Sequence, residues 1–130
     1  MKPVLIIDDS ATMREIISRE CQALGFTKLV ETTTGAAGLK NLTAFGNNVY
    51  SMVIFNCYLP DISITDMVKS IREVEAEVPI LVVATIPSAT RVTILSRSVG
   101  ADAVITQPFT VEELKEKLIG IGVIVTDGTD

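Results

Sequence analysis

Apolar positions in this chain follow two rhythms. Short unbroken runs alternate with longer stretches in which apolar residues recur every three or four positions. Val4-Leu5-Ile6-Ile7 is the first run, and it stops at Asp8-Asp9-Ser10. A run of this kind predicts a strand covered on both faces. Met13, Ile16, Ile17, Cys21 and Leu24 follow at helical spacing, and Gly25 closes that helix. Ser10 or Thr12 can cap it, and Thr12 with Glu15 has capping-box spacing. A second short strand is expected over Lys28 to Glu31, then a helix through Ala37, Leu39, Leu42 and Phe45 that ends near Gly46. Met52 to Asn56 reads as a third, buried strand running into a loop at Pro60. The helix after it carries Met67, Val68, Ile71 and Val74 and ends in Glu73, Glu75 and Glu77, read as a solvated face. Pro79 opens a fourth strand, Ile80 to Ala84, and Pro87 and Ser88 start a helix burying Val92, Leu95 and Val99. The fifth strand, Ala103 to Thr106, meets Gln107-Pro108-Phe109. A last helix, opened by Thr110 and Glu113 as a capping box, buries Val111, Leu114 and Leu118.

Five repeats of strand then helix with short connections predict an α/β fold: a doubly wound parallel sheet with helices on both faces. In such sheets the site lies at the carboxyl ends of the strands, where strand order reverses. That rule gathers Asp8, Asp9, Asn56, Ala84 and Gln107. Residues 1–121 form the expected domain and 122–130 a tail. The segment from Ile121 to Thr126 is apolar and β-branched. It either packs back on the domain or meets a partner.

Composition narrows the functional classes. The length of 130 residues is that of one domain, and 48% of them are hydrophobic, which suits a sheet buried on both sides. A net charge of −5 disfavours nucleic acid as a partner. The chain has no histidine, and Cys21 and Cys57 lack metal-ligand spacing, so a zinc site or a histidine-based triad is not expected. Cys57 reads as a small buried hydrophobe. No apolar run approaches a membrane span, and the first strand stops too soon for a signal peptide, so a cytoplasmic protein is expected.

Strand-end Asp8-Asp9, the segment Asn56 to Pro60, Pro79 with its strand, Gly100-Ala101-Asp102 and Gln107-Pro108-Phe109 occur in this order. Together they resemble the receiver domain of bacterial response regulators. Ser10-Ala11-Thr12-Met13-Arg14 is similar to single-domain, chemotaxis-type receivers. The resemblance spans residues 3 to about 120. It implies a flavodoxin-like fold with strand order 2-1-3-4-5. It also implies Mg²⁺ binding by Asp8 and Asp9 with the backbone carbonyl of Tyr58, and a cis bond at Gln107-Pro108. The family's phosphoryl acceptor is an aspartate where this chain has Asn56. Its strand-four Thr or Ser is Ala84, with Thr85 one residue late. Its lysine is Gln107, its aromatic switch residue is Val104, and its loop glycine falls near Ile64.

These departures bear on chemistry. A neutral amide cannot form an acyl phosphate. A phosphoryl group in flight is stabilised by metal, ammonium and hydroxyl, and here the ammonium and the hydroxyl are missing. Acid and lysine are replaced together, so the formal charge of the site matches the family's. A hydrogen bond between Asn56 and Gln107, direct or through a water, is expected to replace the ion pair. Mg²⁺ held by Asp8 and Asp9 would be weak, and the plainer expectation is that backbone N–H groups and the first helix's N-terminus offset the two acids. The reading is a non-enzymatic pseudo-receiver in two-component or phosphorelay signalling. The resemblance implies that it contacts signalling proteins through its fourth helix, fifth strand and fifth helix, with Arg91, Arg97, Val104 and Thr106 exposed there. A homodimer on that face is a further expectation. The competing readings are a conventional receiver phosphorylated at Asp9 or Asp61, and a small nucleotide-binding domain. Thr34-Gly35-Ala36-Ala37-Gly38 lacks a phosphate-loop pattern and fits a helix start better.

Overall fold

The computed structural model describes residues 2–45 and 48–125. Strands β1 (Val4–Ile7), β2 (Leu29–Thr32), β3 (Met52–Asn56), β4 (Ile80–Thr85) and β5 (Ala103–Gln107) alternate with helices α1 (Ala11–Ala23), α2 (Gly35–Phe45), α3 (Ile64–Val74), α4 (Ala89–Ser98) and α5 (Val111–Gly120). All strand pairs are parallel, in the order β2-β1-β3-β4-β5. The expected fold is the one observed. β1 has no exposed residue because it lies in the middle of the sheet with helices on both faces.

Strand alternation sorts the core into two layers. Leu5, Ile7, Val53, Phe55, Val82 and Val104 pack with Leu42 of α2, Met67 and Ile71 of α3 and Val92 of α4. Val4, Ile6, Ile54, Leu81 and Ile105 pack with Ile17 and Cys21 of α1 and Leu114 and Leu118 of α5. Val123 and Ile124 pack on this second layer, and both donate backbone N–H groups to the Leu118 carbonyl, at 2.9 and 3.1 Å. The start of the apolar tail therefore folds back. Its remainder, 126–130, and the α2 end expected near Gly46 lie outside the described residues.

Caps define the helix starts. Ser10 caps α1, its Oγ accepting the Met13 N–H at 3.2 Å, so Thr12 lies inside the helix. Thr110 and Glu113 form the expected capping box of α5. Pro87 and Ser88 fall in a 3₁₀ turn, Ile86–Ser88, ahead of α4. β2 starts one residue later than the pattern suggested, and β4 and β5 each run one residue further.

Two local expectations are corrected. Glu75 is 9% exposed, and its carboxylate accepts the Asn48 N–H at 2.9 Å, so it closes a loop and is not part of a solvated face. Phe45 is exposed, and α2 instead buries Gly35 against Ile62 and Met67 and meets the sheet through Gly38 and Leu42. A Cβ on Gly38 would run into the buried Ile7 side chain. Gly38→Val is expected to destabilise the domain by about 2–3 kcal/mol, read from urea denaturation midpoints, because β1 has no room to yield.

Candidate functional site

The sheet order reverses between β1 and β3, and their carboxyl ends meet there. Asp8 follows β1 and is fully buried. Its Oδ1 accepts the Ser10 N–H at 2.9 Å, so the α1 cap and the acid hold each other. Its Oδ2 accepts the Asn56 amide, Nδ2 donating at 3.1 Å. Its carbonyl accepts a guanidinium N–H of Arg14 at 2.7 Å, and Arg14 also reaches Glu31 at 3.4 Å. Burying Asp8 is tolerable because each carboxylate oxygen has a donor.

Asn56 ends β3. Its Oδ1 accepts the Tyr58 N–H at 2.8 Å. A backbone N–H can only donate and an ionised carboxylate can only accept, so these two partners fix which end of the amide is which. A direct bond to Gln107 is not among the hydrogen bonds Asn56 makes. Asp8 stands on the neighbouring strand and is a stronger acceptor than a neutral amide oxygen. Gln107, half-buried at the end of β5, leaves its Nε2 buried without a hydrogen-bond partner among the described residues. The bond from Gln107 to Pro108 is cis, as the resemblance implied.

The other expected site residues divide. Ala84 is buried at the end of β4. Thr85 does not stand in for it, because its hydroxyl pairs with Ser88 Oγ at 2.9 Å in the turn before α4. Val104 is 8% exposed and belongs to the core beside Val92, so it is not an exposed partner residue. β5 is the edge strand of the sheet, but the face that carries Val104 is covered by α4, so its side chain is buried there. Arg91 and Arg97 are exposed, as expected, and Thr106 is half-buried. Cys57 is buried, and that burial pushes its thiol pKa up, which keeps it an unreactive thiol.

Asp9 is exposed, and the Tyr58 side chain is 61% exposed. Among the described residues no group of three His, Cys, Asp or Glu side chains is placed to hold a metal ion. The residues at the switch point do not fit a divalent cation. Asp8, the buried carboxylate there, accepts a hydrogen bond on each oxygen, and the donor on Oδ2 is an amide NH₂ whose positive end faces the side a cation would approach.

Asp61 has a role that spacing did not reveal. Its two carboxylate oxygens accept the Gly35 and Ala36 N–H groups, each at 2.9 Å, and so cap α2 from the loop after β3. Those hydrogen bonds from Ala36 and Gly35 hold its carboxyl below the usual aspartate range. A lowered folded-state pKa means the unfolded chain binds the proton more readily. Its stabilisation is therefore complete above the unfolded aspartate range and lost as pH falls through the lower folded value. Asp61→Asn is expected to lower the urea midpoint at pH 7 and to leave it unchanged at the acid end. A gap between wild type and variant that persists undiminished in acid would contradict the ionic cap.

An open, doubly wound sheet with side chains converging at its switch point defines a flavodoxin-like protein. Comparisons with known proteins narrow that class. Residues 4–119 match the model of the response regulator receiver domain. Chemotaxis protein CheY1 of Helicobacter pylori is 32% identical over 117 residues, covering 88% of this chain and 92% of that protein. Chemotaxis protein CheY of Pseudomonas aeruginosa is 30% identical, covering 88% and 91%. Among solved structures, a receiver domain protein from Clostridium thermocellum superposes with a TM-score of 0.82 at 20% identity, covering 93% of this chain and 94% of that one. CheY4 of Vibrio cholerae gives 0.79 at 24% identity, covering 93% and 98%. The chain belongs to the response regulator receiver domain family, the receivers of two-component and chemotaxis signalling. Among the described residues no helix is long and apolar enough to cross a membrane.

Proposed function

We propose that this receiver domain signals without phosphorylation, as a non-enzymatic cytoplasmic module that binds other signalling proteins. The observation that carries this reading is the Asn56 amide, with Nδ2 on Asp8 and Oδ1 on the Tyr58 N–H. A carboxylate at that position would be a nucleophile, and beside Asp8 it would need a cation. The amide is neither nucleophilic nor charged, and it satisfies Asp8 by itself. Ala84 offers no hydroxyl and Gln107 no ammonium, so a phosphoryl group would meet little compensating charge. Asp61 is an unpromising substitute acceptor because both its oxygens cap α2.

The partner face in this reading is α4, β5 and α5, with Arg91 and Arg97 exposed on it and Thr106 partly so. A second copy of the chain is the other candidate occupant, and light scattering across a concentration series distinguishes the two. The decisive test is chemical. Incubated with acetyl phosphate and Mg²⁺, the protein is expected to keep its intact mass. A stoichiometric phosphoryl adduct would overturn the reading, and peptide mapping would then show whether Asp9 or Asp61 carries it.

A further inference from the structure

A half-open cavity of about 400 Å³ lies between the loop after β3, the start of α3 and the inner side of α4. It is within the size range of small-molecule sites, and its walls have the usual character: mostly apolar, with a few polar groups. Leu59, Ile62, Ile64 and Leu95 supply the apolar wall. The lining has one charged residue, Arg91. Arg14, Arg19 and Arg72 each have a carboxylate partner. Among the described residues the side chains of Arg91 and Arg97, both on α4, have no hydrogen bond or ion pair, and of the two only Arg91 lines the cavity. Ser63, the N-cap of α3, and Thr65 also line the cavity and supply hydroxyl groups to its polar side.

We propose that this cavity binds a small amphipathic carboxylate, with its hydrocarbon or aromatic body against Leu59, Ile62, Ile64 and Leu95 and its anion on Arg91. Charge complementarity decides the class. The one charged group at the cavity is a guanidinium, which attracts an anion and repels a cation. The cavity adjoins the Asp8–Asn56 pair through Cys57 and Tyr58 of its lining, and neither Asp8 nor Asn56 is part of its wall. α4 contributes Arg91, Val92 and Leu95 to the cavity and also carries the exposed Arg97. An occupied cavity would therefore brace the helix that presents the proposed partner face, giving the domain an input other than phosphate.

The test uses phenylbutyrate and its neutral counterpart phenylbutanol, titrated into ¹⁵N-labelled protein and followed by amide and arginine side-chain resonances. Phenylbutyrate is expected to saturate with a Kd on the order of 1 mM. It should shift Ile64, Thr65, Arg91 and Leu95, and phenylbutanol should bind more weakly. Arg91→Gln, at an exposed position, should weaken phenylbutyrate about tenfold and leave phenylbutanol within about twofold, a charge-assisted contact being lost. Leu95→Trp, which fills the cavity, should abolish both. If phenylbutyrate shifts no cavity resonance, or binds wild type and Arg91→Gln equally, the proposal fails. Tighter binding of phenylbutanol would overturn the anion assignment.

Discussion

Replacing Asn56 by aspartate is expected to destabilise the domain by about 2–4 kcal/mol at pH 7 in the presence of a chelator. The substitution changes little in shape. It removes the amide NH₂ that donates to Asp8 Oδ2 at 3.1 Å and puts a second carboxylate oxygen in its place. Asp8 is fully buried and Asn56 half-buried, so water screens the pair only in part. Two carboxylates at hydrogen-bond distance cannot both ionise cheaply, so the acid pair titrates above the usual range in the folded state. A raised folded-state pKa fixes the direction of the pH effect. The cost is fully present above that pKa and shrinks as pH falls through it, when one proton comes to be shared by the pair. Urea midpoints measured from pH 7 to pH 4 should therefore converge. Mg²⁺ should also help the variant, because a cation between the two acids does what the amide does in the native chain. A site saturated a hundredfold over its Kd returns about 2.7 kcal/mol. The native protein should show no comparable gain with Mg²⁺. An Asn56→Asp variant as stable as wild type in chelator would mean that the Asn56 amide does not neutralise Asp8.

Restoring phosphoryl chemistry should take more than the nucleophile. Asn56→Asp alone, with acetyl phosphate and Mg²⁺, is expected to label at least about a hundredfold more slowly than the triple variant Asn56→Asp, Ala84→Thr, Gln107→Lys. The factor is what one missing electrostatic contact to a developing charge typically costs, and the single variant lacks two such contacts. The local geometry supports the choice of positions. Gln107 Nε2 is already buried with no acceptor among the described residues, so a lysine there would gain the new carboxylate as its partner. Ala84 lies beside Thr106 in the β4–β5 register, and Thr85, one residue on, has its hydroxyl tied to Ser88. Initial labelling rates by intact mass, with both variants saturated in Mg²⁺, make the comparison. Equal rates would show that Ala84 and Gln107 are not what separates this domain from phosphoryl transfer.

Strand positions were legible in the apolar runs because a parallel sheet covered on both faces leaves no alternation to blur them. Val4–Ile7 and Ile80–Val83 are continuous runs and are buried throughout. Caps were partly legible. Thr110 and Glu113 are close in sequence and form the box that their spacing predicts, whereas the α1 cap is Ser10 and not Thr12. Helix faces were less secure. Phe45 has helical spacing, yet it sits past the turn where Gly38 brings α2 onto Ile7, and it ends up exposed. Val104 was misplaced because it lies on the edge strand β5, and one sequence does not show which face of that strand α4 covers. The roles of Glu75 and Asp61 were invisible for a common reason. Their donors, Asn48 and Gly35, lie 27 and 26 residues away, and no local pattern announces such a pairing.

The sequence by itself determined the alternation of strands and helices, the buried character of the sheet and the residue types at its carboxyl edge. An amide at 56, an alanine at 84 and an amide at 107 restrict the chemistry whatever their geometry. The tertiary structure alone decided which groups pair. Asn56 meets Asp8 across 48 residues of chain because β1 and β3 lie side by side, and the buried carboxylate outcompetes Gln107 for its N–H. Hydrogen bonds between distant residues depend on which strand ends become neighbours, and it is the packing of the helices on the sheet that brings those ends together.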